Sequence, residues 1–165
     1  MFLSIRKIGI SVITLLLLLS GCVISKKEEE KPVTNASMVL GIDETLFAKP
    51  EDTLSQCLYI SCKYLLADFE DSYEKFAKNS GIEEIAETYG LQIEKSCEDE
   101  IAAIKNRSVI LCRIEREQQE RWVILKGFQT IGSETTFYFY DLKGEITTSA
   151  DDFTILEKLT VRLKP

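Results

Sequence analysis

The spacing of apolar positions separates a helical first half from a strand-rich second half. Over Thr53–Phe69, apolar residues recur at the three- and four-residue spacing of a helix with a wide buried face. Shorter helices are predicted at "SYEKFAKN", "SGIEEIAETYG" and "SCEDEIAAIKN", and "LQIE" between the last two is predicted as a short strand. Two of these helices begin with predicted serine–acid capping pairs, which are Ser80 with Glu83 and Ser96 with Asp99.

From residue 108 onwards the pattern favours strands. "SVILCRI" is a β-branched apolar run, and a polar turn separates it from "RWVILKGF", which is interpreted as a buried strand leading into a turn at Lys126-Gly127. "TTFYFYDL" and "EITT" predict two further strands. "SADDFTILEKLT" is predicted to be a final helix capped by Ser149, with "VRLKP" as a candidate closing strand. Helices followed by an antiparallel meander predict an α+β domain.

The N-terminus has the pattern of an export signal. Arg6 and Lys7 precede the apolar stretch "IGISVITLLLLL", which is followed by "LSGC" ending at Cys22. "LSGC" resembles the bacterial lipobox, which implies a signal peptide over residues 1–21, cleavage before Cys22 and acylation of Cys22. The alternative is an ordinary signal peptide that happens to contain a cysteine. Several acyl chains together would anchor the protein stably to a membrane.

Composition supports one domain on a tether. The chain has 165 residues, of which 45% are hydrophobic, and its formal net charge is −7. Removing residues 1–21 removes two positive charges and no acids, so the remaining net charge is −7 − 2 = −9. That balance argues against nucleic-acid binding. "KKEEEK" has no apolar periodicity, so residues 22–37 are interpreted as the lipidated cysteine and a flexible tether, and residues 38–165 as the domain.

The predicted acylation of Cys22 implies attachment to the cell envelope. In a Gram-negative host the anchor would be in the outer membrane, because Val23 rather than aspartate follows Cys22; in another host it would be on the outer face of the cell membrane.

Four cysteines remain beyond Cys22: Cys57, Cys62, Cys97 and Cys112. The chain has no CxxC motif and no histidine, so neither a metal site nor a cofactor is expected. Cys57 and Cys62 should point to different faces of their helix and should not pair with each other. Cys112 is interpreted as a buried small hydrophobe, and Cys97 as the most exposed of the four.

The order of segments carries a family resemblance. The segments come in the order found in the bacteriocin-processing, double-glycine-leader peptidases, a papain-like cysteine peptidase family. That order is an apolar helix bearing a cysteine, then "YGLQI", "NRSVILCRI", "RWVILKGF" and "FYFYDLKG". The chain resembles that family over roughly residues 50–160. The resemblance implies a papain-like fold, in which N-terminal helices pack on an antiparallel sheet.

The resemblance also implies site positions. Cys57 falls at the nucleophile position, where a helix N-terminus would lower the pKa of its thiol. Arg121 falls at the position of the catalytic histidine, and Asp141 at that of the residue that orients the histidine. For Cys57 the favoured alternative is a buried apolar residue of the helix. For Arg121 and Asp141 there are two interpretations: an ion pair in a retained pocket, or two surface charges at strand ends that contribute little to stability.

Other positions depart from the family. The oxyanion-hole glutamine falls near Glu51, while Gln56 beside the cysteine is a candidate donor, and Leu58 replaces the usual glycine. Arginine has a pKa above ~12 and cannot act as a general base at neutral pH. We therefore do not expect ordinary peptidase activity.

Three interpretations of the function follow. The first is an inactive, peptidase-like module that binds a peptide or protein partner in a remnant groove at the membrane surface. The second is a thiol-dependent peptidase or hydrolase that uses Cys57 with another base. The third is a structural lipoprotein of the cell envelope, with the fold only as a scaffold.

Overall fold

A computed structural model describes residues 35–42, 53–79, 81–95, 99–141 and 144–165. All described residues belong to one compact unit, residues 33–165. Cys22 and most of the predicted tether lie outside the described residues. No helix within the described ranges is long and apolar enough to span a bilayer.

In this part of the chain, seven strands form one sheet in the order β2-β7-β3-β4-β5-β6, with β1 paired to β4, and every described pairing is antiparallel. The α+β prediction with an antiparallel sheet is confirmed. The strands are β1 (Ala36–Val39), β2 (Leu91–Lys95), β3 (Val109–Arg116), β4 (Gln119–Ile131), β5 (Glu134–Asp141), β6 (Gly144–Thr147) and β7 (Thr154–Leu163). The helices are α1 (Thr53–Leu65), α2 (Tyr73–Phe76), α3 (Ile82–Thr88) and α4 (Glu100–Lys105).

The predicted C-terminal helix is wrong, because residues 154–163 form strand β7. β7 lies between β2 and β3, so both of its edges are hydrogen-bonded to neighbours. Its β-branched residues favour a strand. Ser149, the predicted cap, begins no helix. Near it, the side chain of Asp151 accepts a hydrogen bond from the Thr147 amide at 2.8 Å and pairs with Arg116 at 2.9 Å. The predicted closing strand at "VRLKP" is the end of β7.

The turn predicted at Lys126-Gly127 is also wrong. β4 continues through Gly127 to Ile131, and only the pairing register with β5 shifts between Leu125 and Gly127. Glycine is needed because the backbone of β1 comes very close to β4 at this point: a β-carbon at position 127 would lie 2.2 Å from the carbonyl oxygen of Met38. β1 begins at Ala36, so the last two residues of the predicted tether, 36 and 37, belong to the sheet.

The short helices follow the predicted segments, but their caps differ. Asp99 itself is the N-cap of α4, and its side chain accepts a hydrogen bond from the Ala102 amide at 2.9 Å. Gly81 is the N-cap residue of α3 and supplies no side-chain cap. Ser80 and Ser96, the predicted capping residues, lie outside the described residues. Asp99 therefore stabilises the start of α4 by capping it.

Helix α1 lies at the centre of the core. It ends at Leu65 rather than Phe69, and an unbroken run from Gln56 to Cys62 is buried. A cluster of aromatic rings forms around Tyr59 and closes one side of the helix. The rings of this cluster are those of Tyr59, Phe69, Tyr73, Phe76 and Tyr89. The side chains from Gln56 to Cys62 are therefore shielded from solvent.

Candidate functional site

Arg121 and Asp141 form a buried ion pair between strands β4 and β5. The Nε and Nη2 atoms of Arg121 donate to the two carboxylate oxygens of Asp141 at 2.7 and 2.6 Å. The side chains are 9% and 0% exposed. Ile124 lies opposite Tyr140, so Arg121 and Asp141 are diagonal neighbours on one face of the sheet. The alternative of two separate surface charges is therefore wrong.

The hydrogen-bond acceptors of Asp141 are more completely paired than the hydrogen-bond donors of Arg121. Both carboxylate oxygens of Asp141 accept a charge-assisted hydrogen bond. The third nitrogen of Arg121, Nη1, is buried and has no hydrogen-bond partner in the structure. Attraction between the two charges is thus opposed by the loss of their hydration, and the pair's main effect is to make each residue dependent on the other.

Cys57 lies one turn into α1 and is fully buried, with 0% exposure. The helix begins at Thr53, whose Oγ1 accepts a hydrogen bond from the Trp122 amide at 2.9 Å, so the start of α1 lies against β4 next to Arg121. The four-residue spacing places Cys57 on the same side of the helix as Thr53. The interpretation of Cys57 as a buried helical residue agrees with this placement. The predicted position at the helix N-terminus does not.

The other described positions taken from the resemblance are also buried. Gln56, the candidate oxyanion donor, is 2% exposed, and Leu58 is 1% exposed. Both lie within the buried part of α1. Glu51 lies outside the described residues. The nucleophile, histidine and orienting positions are therefore all occupied by buried side chains.

The described thiols have the environment of structural cysteines. Cys57, Cys62 and Cys112 are buried and none forms a disulfide. Burial raises the pKa of the Cys62 thiol to about 12. Within the described residues, no group of histidine, cysteine or carboxylate side chains could hold a metal ion. Cys97 lies outside the described residues.

A cleft of about 1130 Å³ was not predicted from the sequence. It opens between the ends of α1 and α4 and the ends of β2 and β7, and Met38 of β1 contributes to its wall. No motif marks it, because its residues come from five separate segments. The lining residues are Met38, Tyr64, Leu65, Glu94, Asp99, Ala103, Asn106, Arg107, Ser108, Thr160, Arg162 and Leu163.

The cleft combines apolar and charged groups. Arg162 pairs with Glu94 at 3.0 Å, whereas the exposed Arg107 has no ion pair within the described residues. Tyr64 and Leu65 come from the end of α1, and Leu163, 46% exposed, from the end of β7. Such a surface can pack apolar side chains while donating and accepting hydrogen bonds.

No family model, curated protein or solved structure matches the chain. The class that the fold and site define is an α+β domain with an antiparallel sheet, a closed arginine–aspartate pair and a separate mixed cleft.

Proposed function

We propose that the chain is a bacterial lipoprotein, anchored in the cell envelope by acyl chains on Cys22, whose papain-like domain is not a peptidase and binds a peptide segment of a partner protein. The observation that carries the non-catalytic part is the buried Arg121–Asp141 pair. The signal-like N-terminus and "LSGC" support the anchor. No nucleic acid and no cofactor belongs to this proposal.

Three features support the papain-like part of the proposal. A central helix bearing Cys57 precedes strands β2 to β7, and Arg121 and Asp141 contact each other from adjacent strands. The hydrogen bond between Thr53 and Trp122 brings the start of that helix next to Arg121. These relations are those that the resemblance implies for nucleophile, base and orienting residue.

The chemistry at these positions opposes peptide hydrolysis. A cysteine peptidase needs an accessible thiolate and a base that takes up and returns a proton near neutral pH. Cys57 is fully buried, and the guanidinium of Arg121 is held by both oxygens of Asp141. Guanidinium cannot accept or deliver that proton. The positions that would perform catalysis serve packing instead.

Binding is assigned to the cleft rather than to the closed pair. An extended peptide offers amide donors, carbonyl acceptors and alternating side chains. The cleft offers apolar contacts at Leu65 and Leu163, and its exposed Arg107 is suited to a carbonyl or carboxylate oxygen of the peptide. A peptide segment matches this mixed lining better than a purely apolar ligand.

A photo-crosslinking comparison tests the binding site. Leu163 and Leu156 are both on β7 and are 46% and 40% exposed, but only Leu163 lines the cleft. With a benzophenone amino acid at one or the other position of the full-length lipoprotein in cells, we expect a discrete crosslinked partner from position 163 and none from position 156. Mass spectrometry of the crosslinked peptide identifies the segment bound.

Arg107→Glu is the companion change. It reverses the charge of an exposed cleft residue and should reduce the yield of the crosslink at position 163 without changing the amount of folded protein. Equal crosslinking from positions 163 and 156, or none from either, would contradict a binding cleft and favour the scaffold interpretation.

Alkylation kinetics test the thiol-enzyme alternative. At pH 8, the Cys62 thiol, with a pKa of about 12, is ionised in about one molecule in ten thousand, and Cys57 and Cys112 are buried away from the reagent. We expect Cys57, Cys62 and Cys112 to react with iodoacetamide only as the domain unfolds, and all of them rapidly in denaturant. The measurement is peptide mass spectrometry after timed labelling. Fast native labelling of Cys57, with a midpoint below the ordinary thiol pKa, would restore the enzyme hypothesis.

A further inference from the structure

One end of the sheet carries an exposed surface with very little charge. Val39, Gly127, Tyr138 and Thr147 lie opposite one another across β1, β4, β5 and β6, so they share a face. Ser37, Gln129 and Thr136 form the next row on that face, and Ile131 lies opposite Glu134 beyond them. We name as the tether-side patch the residues Ser37, Val39, Gln129, Ile131, Glu134, Thr136 and Tyr138.

The composition of the tether-side patch is unusual for this chain. Charged residues make up 28% of the sequence, yet Glu134 is the one formal charge among the patch residues. Ile131 and Val39 are the most exposed of the large hydrophobic residues described, at 60% and 56%. A tyrosine next to exposed aliphatic side chains suits the interface between lipid headgroups and acyl chains.

The position of the patch points to its partner. Ala36, the first residue of β1, lies opposite Thr130, so the chain enters the sheet next to the hairpin that joins β4 to β5. Residues 23–35 separate Cys22 from Ala36, and a chain of that length spans at most about 50 Å. An anchor on Cys22 therefore keeps this end of the domain close to the bilayer and raises the local concentration of lipid around it.

We propose that the tether-side patch docks on the lipid surface, with Ile131 and Val39 entering the interface. This inference rests on the proposed anchor at Cys22. The contact is hydrophobic rather than ionic, because the patch carries an acid and no base, and an acidic protein gains nothing from anionic headgroups. The acyl chains supply the attachment, and the patch sets which side of the domain faces the membrane.

A pair of probes on opposite ends of β4 tests the docking. Ser133 is in the turn after β4 and next to Ile131, whereas Gln118 is in the turn before β4. A strand of that length separates the two turns by about 40 Å. The lipidated full-length protein, with Cys97→Ser in every variant, is labelled at Ser133→Cys or Gln118→Cys with an environment-sensitive dye. It is then bound to phosphatidylcholine vesicles containing a lipid-attached quencher.

We expect lipid quenching at position 133 and none at position 118. Ile131→Asp should abolish the quenching at 133 while the protein stays on the vesicles through its acyl chains. Ile131→Thr keeps a β-branched residue in the strand and should weaken the quenching in the same direction. The near-ultraviolet circular dichroism of both variants should match that of the parent.

Failure of the proposed anchor and failure of the docking inference give different results. If mass spectrometry finds no acyl group on Cys22 and the protein does not bind vesicles, the proposed anchor is wrong and the docking inference falls with it. If the protein is acylated and bound but position 133 remains in water, or positions 133 and 118 are quenched equally, the anchor stands and the docking inference is overturned.

Discussion

Asp141→Ala should lower the free energy of unfolding by about 3–5 kcal/mol, because it leaves the buried guanidinium of Arg121 without a counter-charge. Arg121 already has one buried nitrogen without a partner, and the substitution would remove the acceptors of both its remaining hydrogen bonds. A loss of this size is a large part of the ~5–15 kcal/mol that stabilises a typical domain. Urea unfolding, followed by circular dichroism, measures it.

Two control variants separate the ion pair from a general effect of the substitution. Arg121→Met with Asp141→Leu removes both charges together and should recover most of the lost stability, since the desolvation penalty disappears with them. Glu145→Ala breaks the ion pair between Lys126 and Glu145, whose carboxylate side chain is 41% exposed, and should change stability by less than about 1 kcal/mol. Equal losses from Asp141→Ala and Glu145→Ala would refute the description of the buried pair.

Gly127→Ala should detach strand β1 from the sheet. The new β-carbon would lie 2.2 Å from the carbonyl oxygen of Met38 and 2.9 Å from the Cα of Val39. Both atoms belong to the backbone, so no change of side-chain rotamer relieves the overlap. We expect a loss of up to about 3 kcal/mol. We also expect faster hydrogen exchange at the Leu40 amide, which donates to the carbonyl of Lys126 at 2.8 Å.

Gly41→Ala is the matched control, because a β-carbon there meets no atom within 4 Å and the glycine has no positive φ. It should leave both stability and the exchange of Leu40 nearly unchanged. If Gly127→Ala is tolerated as well as Gly41→Ala, then β1 does not pack over Gly127 in solution.

The sequence predicted the parts of the fold that depend on local pattern. The long helix, the short strand at Leu91 and the strand-rich second half were all visible as hydrophobic periods. Residues 154–160 were not, because the four-residue spacing of Ile155 and Leu159 suits the buried face of a helix nearly as well as a strand. The two neighbouring strands decide the outcome, and pairing between β2, β7 and β3 joins residues distant in sequence.

The sequence likewise predicted some features of the candidate site and not others. That Arg121 and Asp141 could meet followed from their place in the resemblance, but their burial depends on packing that no local pattern records. Gly127 looked like a turn residue because the approach of β1 is a long-range contact. The cleft was invisible for the same reason: Met38, Arg107 and Leu163 are far apart along the chain and share no motif.

The central place of β7 has a consequence for how the chain acquires its structure. Strand β7 follows all its neighbours in sequence yet lies between β2 and β3, so the sheet cannot be completed before residues 154–163 have been synthesised. Before that point β2 lacks the neighbour to which it is hydrogen-bonded and β3 lacks one of its two, and an unpaired edge strand is a site of aggregation. The topology thus makes completion of the sheet depend on a late, long-range pairing, and pairings of this kind are formed slowly.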